Sequence, residues 1–185
     1  MEIILLRHGR PDMPVWDRIK PADLHKWIAS YNSSGIDRDN PPTKAAMQIA
    51  NRCNAVVCSD FPRSLQSAAN LGIAKPLEIE PVYREFDLPY SNWQIPKLPP
   101  HLWAVLFRAL WLLGYSKNGE SLKHARKRSG NCADRLISLS KEYASVMLVG
   151  HGFTNRFIAK ELLSQGWHGP NRPGNKYWEF GVYKG

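Results

Sequence analysis

The chain has 185 residues, 43% hydrophobic and 22% charged, which is enough apolar content for one substantial core and excludes the depleted composition of a disordered segment. No run reaches the roughly 18 apolar residues of a membrane span, and the longest candidate, residues 102–115, is interrupted by Arg108. A formal charge of +9 creates a field that attracts anions without naming the anion, so nucleic acid, acidic lipid and small phosphate esters all stay open.

The opening apolar run is four residues long, follows an acid and precedes no small-residue cleavage site, so it does not read as a secretory signal. Cys53, Cys58 and Cys132 lack the spacing of a disulfide framework or a zinc site, and reduced, mostly buried thiols are expected. The expected location is cytoplasmic, and the expected organisation is a single domain over residues 1–185.

In chain order, residues 2–6 predict a buried strand, followed by a polar segment rich in Pro, Asp and Asn up to Pro42, within which residues 22–30 suit a short helix. From Thr43, a capping residue, a helical stripe of Ala46, Met47, Ile49 and Ala50 runs to about Cys53. "AVVCSD" predicts a second buried strand. In "FPRSLQSAANLG", Pro62 suits a first helical turn and Gly72 a C-terminal stop. "LEIEPVYREFDL" alternates and predicts an extended segment.

A Pro-rich stretch then leads to an apolar helix over residues 102–113, inside a helical insert or cap at about 88–119. Being apolar nearly all round, this helix is expected to be covered, in the chain itself or in a homodimer. A basic amphipathic helix follows over about 120–142. Its "KHARKR" cluster suits a solvated face, and nucleic acid is disfavoured as a partner. A strand over residues 146–149 ends in Gly150, His151 and Gly152, where another helix starts, and "NKYWEFGVYKG" closes the chain as a last strand. Strands alternating with helices predict a three-layer α/β fold with a mostly parallel central sheet flanked by helices.

The polar residues fall at strand ends. One buried strand ends in Arg7, His8 and Gly9, a second in Ser59 and Asp60 with Arg63 just inside the next helix, and a third in His151 and Gly152. If the three strands are parallel, two imidazoles and two guanidiniums meet at one sheet edge, where ligands of such folds bind. That set describes a phosphate pocket. A neutral imidazole held through one ring nitrogen presents the other as a nucleophile, and guanidiniums offer forked donors to phosphoryl oxygens. Gly9 and Gly152 allow close backbone approach, and the helix beginning near Gly152 aims N–H groups at an anion. A leaving alkoxide needs a proton, for which Glu85 and Asp87, two residues apart on an extended segment, are both candidates. Ser59 and Asp60 suit helix capping.

"LLRHG", "SDFPRSLQSA" and "LVGHG", in this order and at these distances, resemble the motif set of the histidine phosphatase superfamily, in its phosphoglycerate mutase-like branch. The resemblance implies that His8 is transiently phosphorylated, that Arg7, Arg63 and His151 hold the phosphoryl group, and that Glu85 takes the proton donor's place. It also implies a reaction without metal or cofactor on a small phosphorylated substrate. Arg10, Pro11 and Pro14 stand where many members carry Glu or Gln, Thr and Asn; a phosphate contact from the Asn position is lost, and Arg10 adds a cation at the rim. The usual glycine- and tryptophan-rich continuation after the donor is replaced by "FDLPYSNW". Phosphomonoester hydrolysis is the expectation. Its rivals are a mutase and an anion- or nucleic-acid-binding module that keeps the pocket without turnover.

Overall fold

A computed structural model describes residues 1–185. Its strands are β1 (Glu2–Arg7), β2 (Ala55–Cys58), β3 (Glu78–Ile79), β4 (Ser145–Gly150) and β5 (Phe180–Lys184), and its helices are α1 (Leu24–Ser33), α2 (Lys44–Ala50), α3 (Pro62–Asn70), α4 (Pro100–Leu112), α5 (Leu122–Tyr143) and α6 (Gly152–Ser164). An uninterrupted apolar run such as Ile3, Ile4, Leu5 and Leu6 suits a strand only where both faces are covered. All four are fully buried.

The sheet order is β3-β2-β4-β1-β5, so β4 inserts between β2 and β1. β1 and β2 both pair with β4 in parallel, with Arg7 opposite Gly150 and Cys58 opposite Val149. β3 adds to β2 in parallel, and β5 closes the other edge antiparallel to β1. Alternate strand residues feed two cores. Ile4, Leu6, Val56, Cys58, Met147 and Val149 pack with Ala46, Ile49 and Ala68 of α2 and α3, while Ile3, Leu5, Val57, Val146 and Leu148 pack with Leu136, Ile158 and Leu162 of α5 and α6. The result is a three-layer α/β fold. Each fully buried Leu, Ile or Val contributes about 1.5–3 kcal/mol.

The punctuation residues act as their chemistry dictates. Thr43 Oγ1 accepts from the Ala46 amide at 3.1 Å and starts α2, and Gly72 takes a φ of +84° after α3. The basic helix begins at Leu122, where Ser121 Oγ accepts from the His124 amide at 3.2 Å. The extended reading of "LEIEPVYREFDL" holds for two residues only. Pro81, which has no N–H for a ladder, opens a 3-10 turn over Pro81–Tyr83 and ends β3.

The chain divides into two compact units, one of Met1–Asp12, Gly35–Glu85 and Arg128–Gly185, the other of Met13–Ser34 and Phe86–Lys127. The first holds the sheet. The second gathers Leu24, Trp103 and Phe107 with Trp27, Leu98 and Tyr115 around them; the Trp103 indole donates to the Ile19 carbonyl at 2.9 Å and the Trp111 indole to the Glu120 carbonyl at 2.6 Å. α4 turns only one stripe, Trp103, Phe107 and Trp111, into that core. Leu102, Val105, Leu106, Leu112 and Leu113 are exposed, Leu113 at 85%, so the expected coverage is not met within the chain. No helix is long and apolar enough to cross a membrane.

Candidate functional site

Because β1, β2 and β4 run parallel and stop in register, the residues following them emerge at one edge. The His8 amide continues the ladder by donating to the Gly150 carbonyl at 3.1 Å. The rings of His8 and His151 meet edge to face with centroids 5.0 Å apart, and Phe61 touches the His151 ring from another side at 5.6 Å. Both histidines are buried.

The two rings are held differently. His8 Nδ1 lies 2.7 Å from the Gly9 carbonyl oxygen, which can only accept, so Nδ1 carries the proton and Nε2 keeps its lone pair. His151 Nε2 lies 2.8 Å from Ser59 Oγ, while its Nδ1 is buried with no hydrogen-bond partner. Burial, with the neighbouring His151 and the Arg63 charge, holds His8 well below the usual histidine range, against a smaller opposite pull from the Gly9 carbonyl. Burial and the charges of Arg63, Arg7 and Arg128 do the same to His151. Both imidazoles are therefore neutral near pH 7.

Arg63 is fully buried at the start of α3, its guanidinium 4.5 Å from the Phe61 ring centroid. Arg7 lies 4.4 Å over the Tyr177 ring, donates through Nη1 to the Asn175 carbonyl, and has a buried Nε without a partner. Arg10 stands apart from this arrangement, exposed and paired with Asp37 at 2.6 Å.

Gly152 is not sterically required, since a Cβ there would sit 3.6 Å from Arg7 Nε, an ordinary contact. Gly9 is required: a Cβ would come within 2.3 Å of the Trp178 ring, so its role is packing. Gly150 is the tight position in "VGHG", where a Cβ would fall 2.4 Å from Asn155 Oδ1; Asn155 Nδ2 in turn donates to the Leu6 carbonyl at 3.0 Å, stapling α6 to β1.

The first turn of α6 already holds an anion, and it belongs to the protein. Glu85 accepts from the amides of Phe153 and Thr154 at 3.0 and 2.9 Å and from Thr154 Oγ1 at 3.0 Å. Its carboxylate thus sits one turn beyond His151. Asp87 is exposed and belongs to the other unit.

Ser59 and Asp60 do not cap α3, whose N-cap is Phe61 without a side-chain bond. Ser59 serves His151 and the Phe61 amide instead. Asp60 grips Arg84 through two bonds of 2.6 Å. Arg128 also leaves the solvated face expected for it, donating to the carbonyls of Val82 and Arg84 at 2.8 Å. Within "SDFPRSLQSA", Ser67 Oγ accepts from the Gly9 amide at 2.8 Å and donates to the Arg63 carbonyl at 2.6 Å, joining the loop after His8 to the helix of Arg63.

Tyr177, whose ring centroid is 5.9 Å from that of His8, was missed in the sequence. It lies in a turn where Trp178 takes a φ of +66°, uncommon for a bulky residue, while the Trp178 indole donates to the Asn40 carbonyl at 2.9 Å. No local pattern marks such a turn beforehand. Burial raises the thiols of Cys53 and Cys58, to about 11 and about 12, which keeps both protonated.

Known structures share this architecture. A mycobacterial glucosyl-3-phosphoglycerate phosphatase complexed with VO3 is 20% identical, with 98% of this chain and 91% of that chain covered at a TM-score of 0.62. TTHB049 from Thermus thermophilus is 18% identical over 98% and 92%, at 0.59, and YhfR from Bacillus stearothermophilus is 18% identical over 88% and 80%, at 0.53. At these identities the likeness is one of fold. No curated protein matches the chain. The family model of histidine phosphatase superfamily branch 1 matches residues 43–179, which takes in Arg63, Glu85 and His151. The chain belongs to the histidine phosphatase superfamily, branch 1.

Proposed function

We propose that this protein is a metal-independent phosphatase that hydrolyses a phosphomonoester through a phosphohistidine on Nε2 of His8. The observation that carries the reading is the fixed ring of His8: Nδ1–H is spent on the Gly9 carbonyl, so the other nitrogen of a neutral, buried imidazole offers its electron pair. Nε2 forms a bond to phosphorus as the ester P–O bond breaks, and Glu85, protonated in the enzyme–ester complex, passes that proton to the departing oxygen. Water then attacks the phosphohistidine, gives its proton to Glu85 and releases inorganic phosphate. Arg7, Arg63 and His151 Nδ1 neutralise and orient the phosphoryl oxygens, where positioning and charge supply most of the rate. The relatives with phosphatase names support the reaction class.

Rapid-quench labelling tests this. A 32P-labelled ester is expected to leave an acid-labile, alkali-stable adduct that is absent from H8A, with turnover undiminished by chelator. An adduct that persists in H8A would sink the assignment.

A further inference from the structure

Arg156, one turn into α6, has no part in the chemistry above, yet its surroundings are those of an anion site. Its Nη2 donates to Asn175 Oδ1 at 2.5 Å, and the carbonyl of the same Asn175 accepts from Arg7. One residue thus clips two guanidiniums side by side. Each is left with a buried Nε–H that has no hydrogen-bond partner. The face of the Arg156 guanidinium rests 5.2 Å from the Phe153 ring centroid.

The nearby charge is net positive. Arg172 and Arg7 act on Arg156 against Glu85, and Lys176 adjoins Asn175. Two carboxylates face these four cations: Glu85, which accepts from Phe153 and Thr154, and Glu179, whose Oε2 accepts from the amides of Asn175 and Lys176 at 2.7 and 2.9 Å. Two clustered guanidiniums with buried, unsatisfied donors cost stability in the free protein unless a ligand completes them. One phosphoryl group already claims Arg7.

We propose that Arg156, clipped beside Arg7 by Asn175, binds a second anionic group of the substrate, a carboxylate or a second phosphate set a short distance from the phosphoryl group. The inference rests on the phosphatase reading and specifies its substrate class as doubly anionic esters.

The test compares phosphate release from ethyl phosphate, phosphoglycolate and ethane-1,2-diol bisphosphate, with phosphoglycolate and the bisphosphate distinguishing carboxylate from phosphate as the second group. Wild type is expected to favour at least one of the doubly anionic esters in kcat/KM by about tenfold or more. R156Q should lose most of that preference, chiefly through KM, and lower ethyl phosphate turnover far less; R156K, which keeps charge without the planar fork, should fall between. Equal losses on all three esters, or no preference in wild type, would overturn the proposal. R156K answers the same question should R156Q fail to fold. If wild type cleaves no ester, calorimetric binding of phosphoglycolate against ethyl phosphate still judges the subsite: tighter phosphoglycolate binding that R156Q abolishes upholds it while the phosphatase reading fails, and equal binding overturns it.

Discussion

Glu85 and Thr154, 69 residues apart in sequence, meet at one carboxylate oxygen, which accepts from the amide of Thr154 at 2.9 Å and lies 3.0 Å from its hydroxyl, whose one hydrogen it shares with the Arg84 carbonyl at 2.9 Å. This contact fixes the proposed proton donor against the helix that begins at the second histidine. It also makes Glu85 the stabilising charge of that helix. Two effects of substitution should therefore separate. E85Q is expected to slow an alkyl phosphate by about 10²–10⁴-fold but a nitrophenyl phosphate, whose leaving group needs no proton, much less. E85A should in addition cost about 0.5–2 kcal/mol in urea unfolding. A uniform loss on both esters would remove Glu85 from proton transfer.

Ser59 gives a second prediction. It is fully buried and bonds Nε2 of His151 at 2.8 Å while accepting from the Phe61 amide at 3.2 Å. With its hydroxyl hydrogen directed to Nε2, the ring proton of neutral His151 lies on Nδ1, the nitrogen available to a phosphoryl oxygen. S59A leaves Nε2 buried without a partner and is expected to cost about 1–3 kcal/mol of stability. Its kcat/KM should fall, with S59T recovering part of both. A variant with wild-type stability and turnover would show that Ser59 holds nothing.

The carboxyl-edge cluster was legible in the sequence because each strand is an apolar run that stops abruptly at Arg7-His8, Ser59 or His151, and a parallel sheet brings such ends together whatever their order. Arg7, His8, Arg63 and His151 were readable on that ground. The attachments of Glu85, Ser59 and Asp60 were not, because each depends on a partner 24 to 92 residues away that no periodicity marks. Tyr177 and Arg156 escaped for a related reason: one lies in an irregular turn, the other on a helix turn where a surface arginine is ordinary. Which side of α4 the chain covers was not legible, because hydrophobic content reports which residues are apolar and not which of them find a neighbour.

The pH dependence of stability follows from the two rings. Burial keeps both below their ordinary value of 6.5 in the folded protein, so beneath that pH the unfolded chain binds more protons. Their contribution is complete above about pH 6.5 and drains away as pH falls toward the depressed folded values, at about 1.4 kcal/mol per pH unit for each ring. In phosphate-free buffer, urea unfolding of wild type should lose stability as pH falls below about 6.5, and H8N should lose less over the same range. A slope untouched by H8N would mean that His8 is not held neutral.

Gly9→Ala probes the wall behind His8. The new methyl would meet the Trp178 ring at 2.3 Å, and that ring cannot swing freely while its indole is bonded to Asn40. A cost of about 1–3 kcal/mol is expected, read as a melting temperature lower by several degrees. Because Trp178 adjoins Tyr177, which stacks on Arg7, turnover should drop as well. An unchanged melting temperature would contradict this packing.

The stretch that leaves the sheet-bearing unit after Asp12 returns at Gly35, and those two points are stitched directly: the Asp12 amide donates to the Gly35 carbonyl at 3.1 Å, and Pro11 bridges Ile36. Closing a longer excursion costs only about 0.6 kcal/mol for each doubling of its length. Whatever the chain does between the stitches, His8 a few residues upstream of them is anchored by bonds that do not pass through it. A length change within residues 13–34 thus falls on the second core, where Leu24 and Trp27 meet Trp103 and Phe107, and not on the bonds that hold His8.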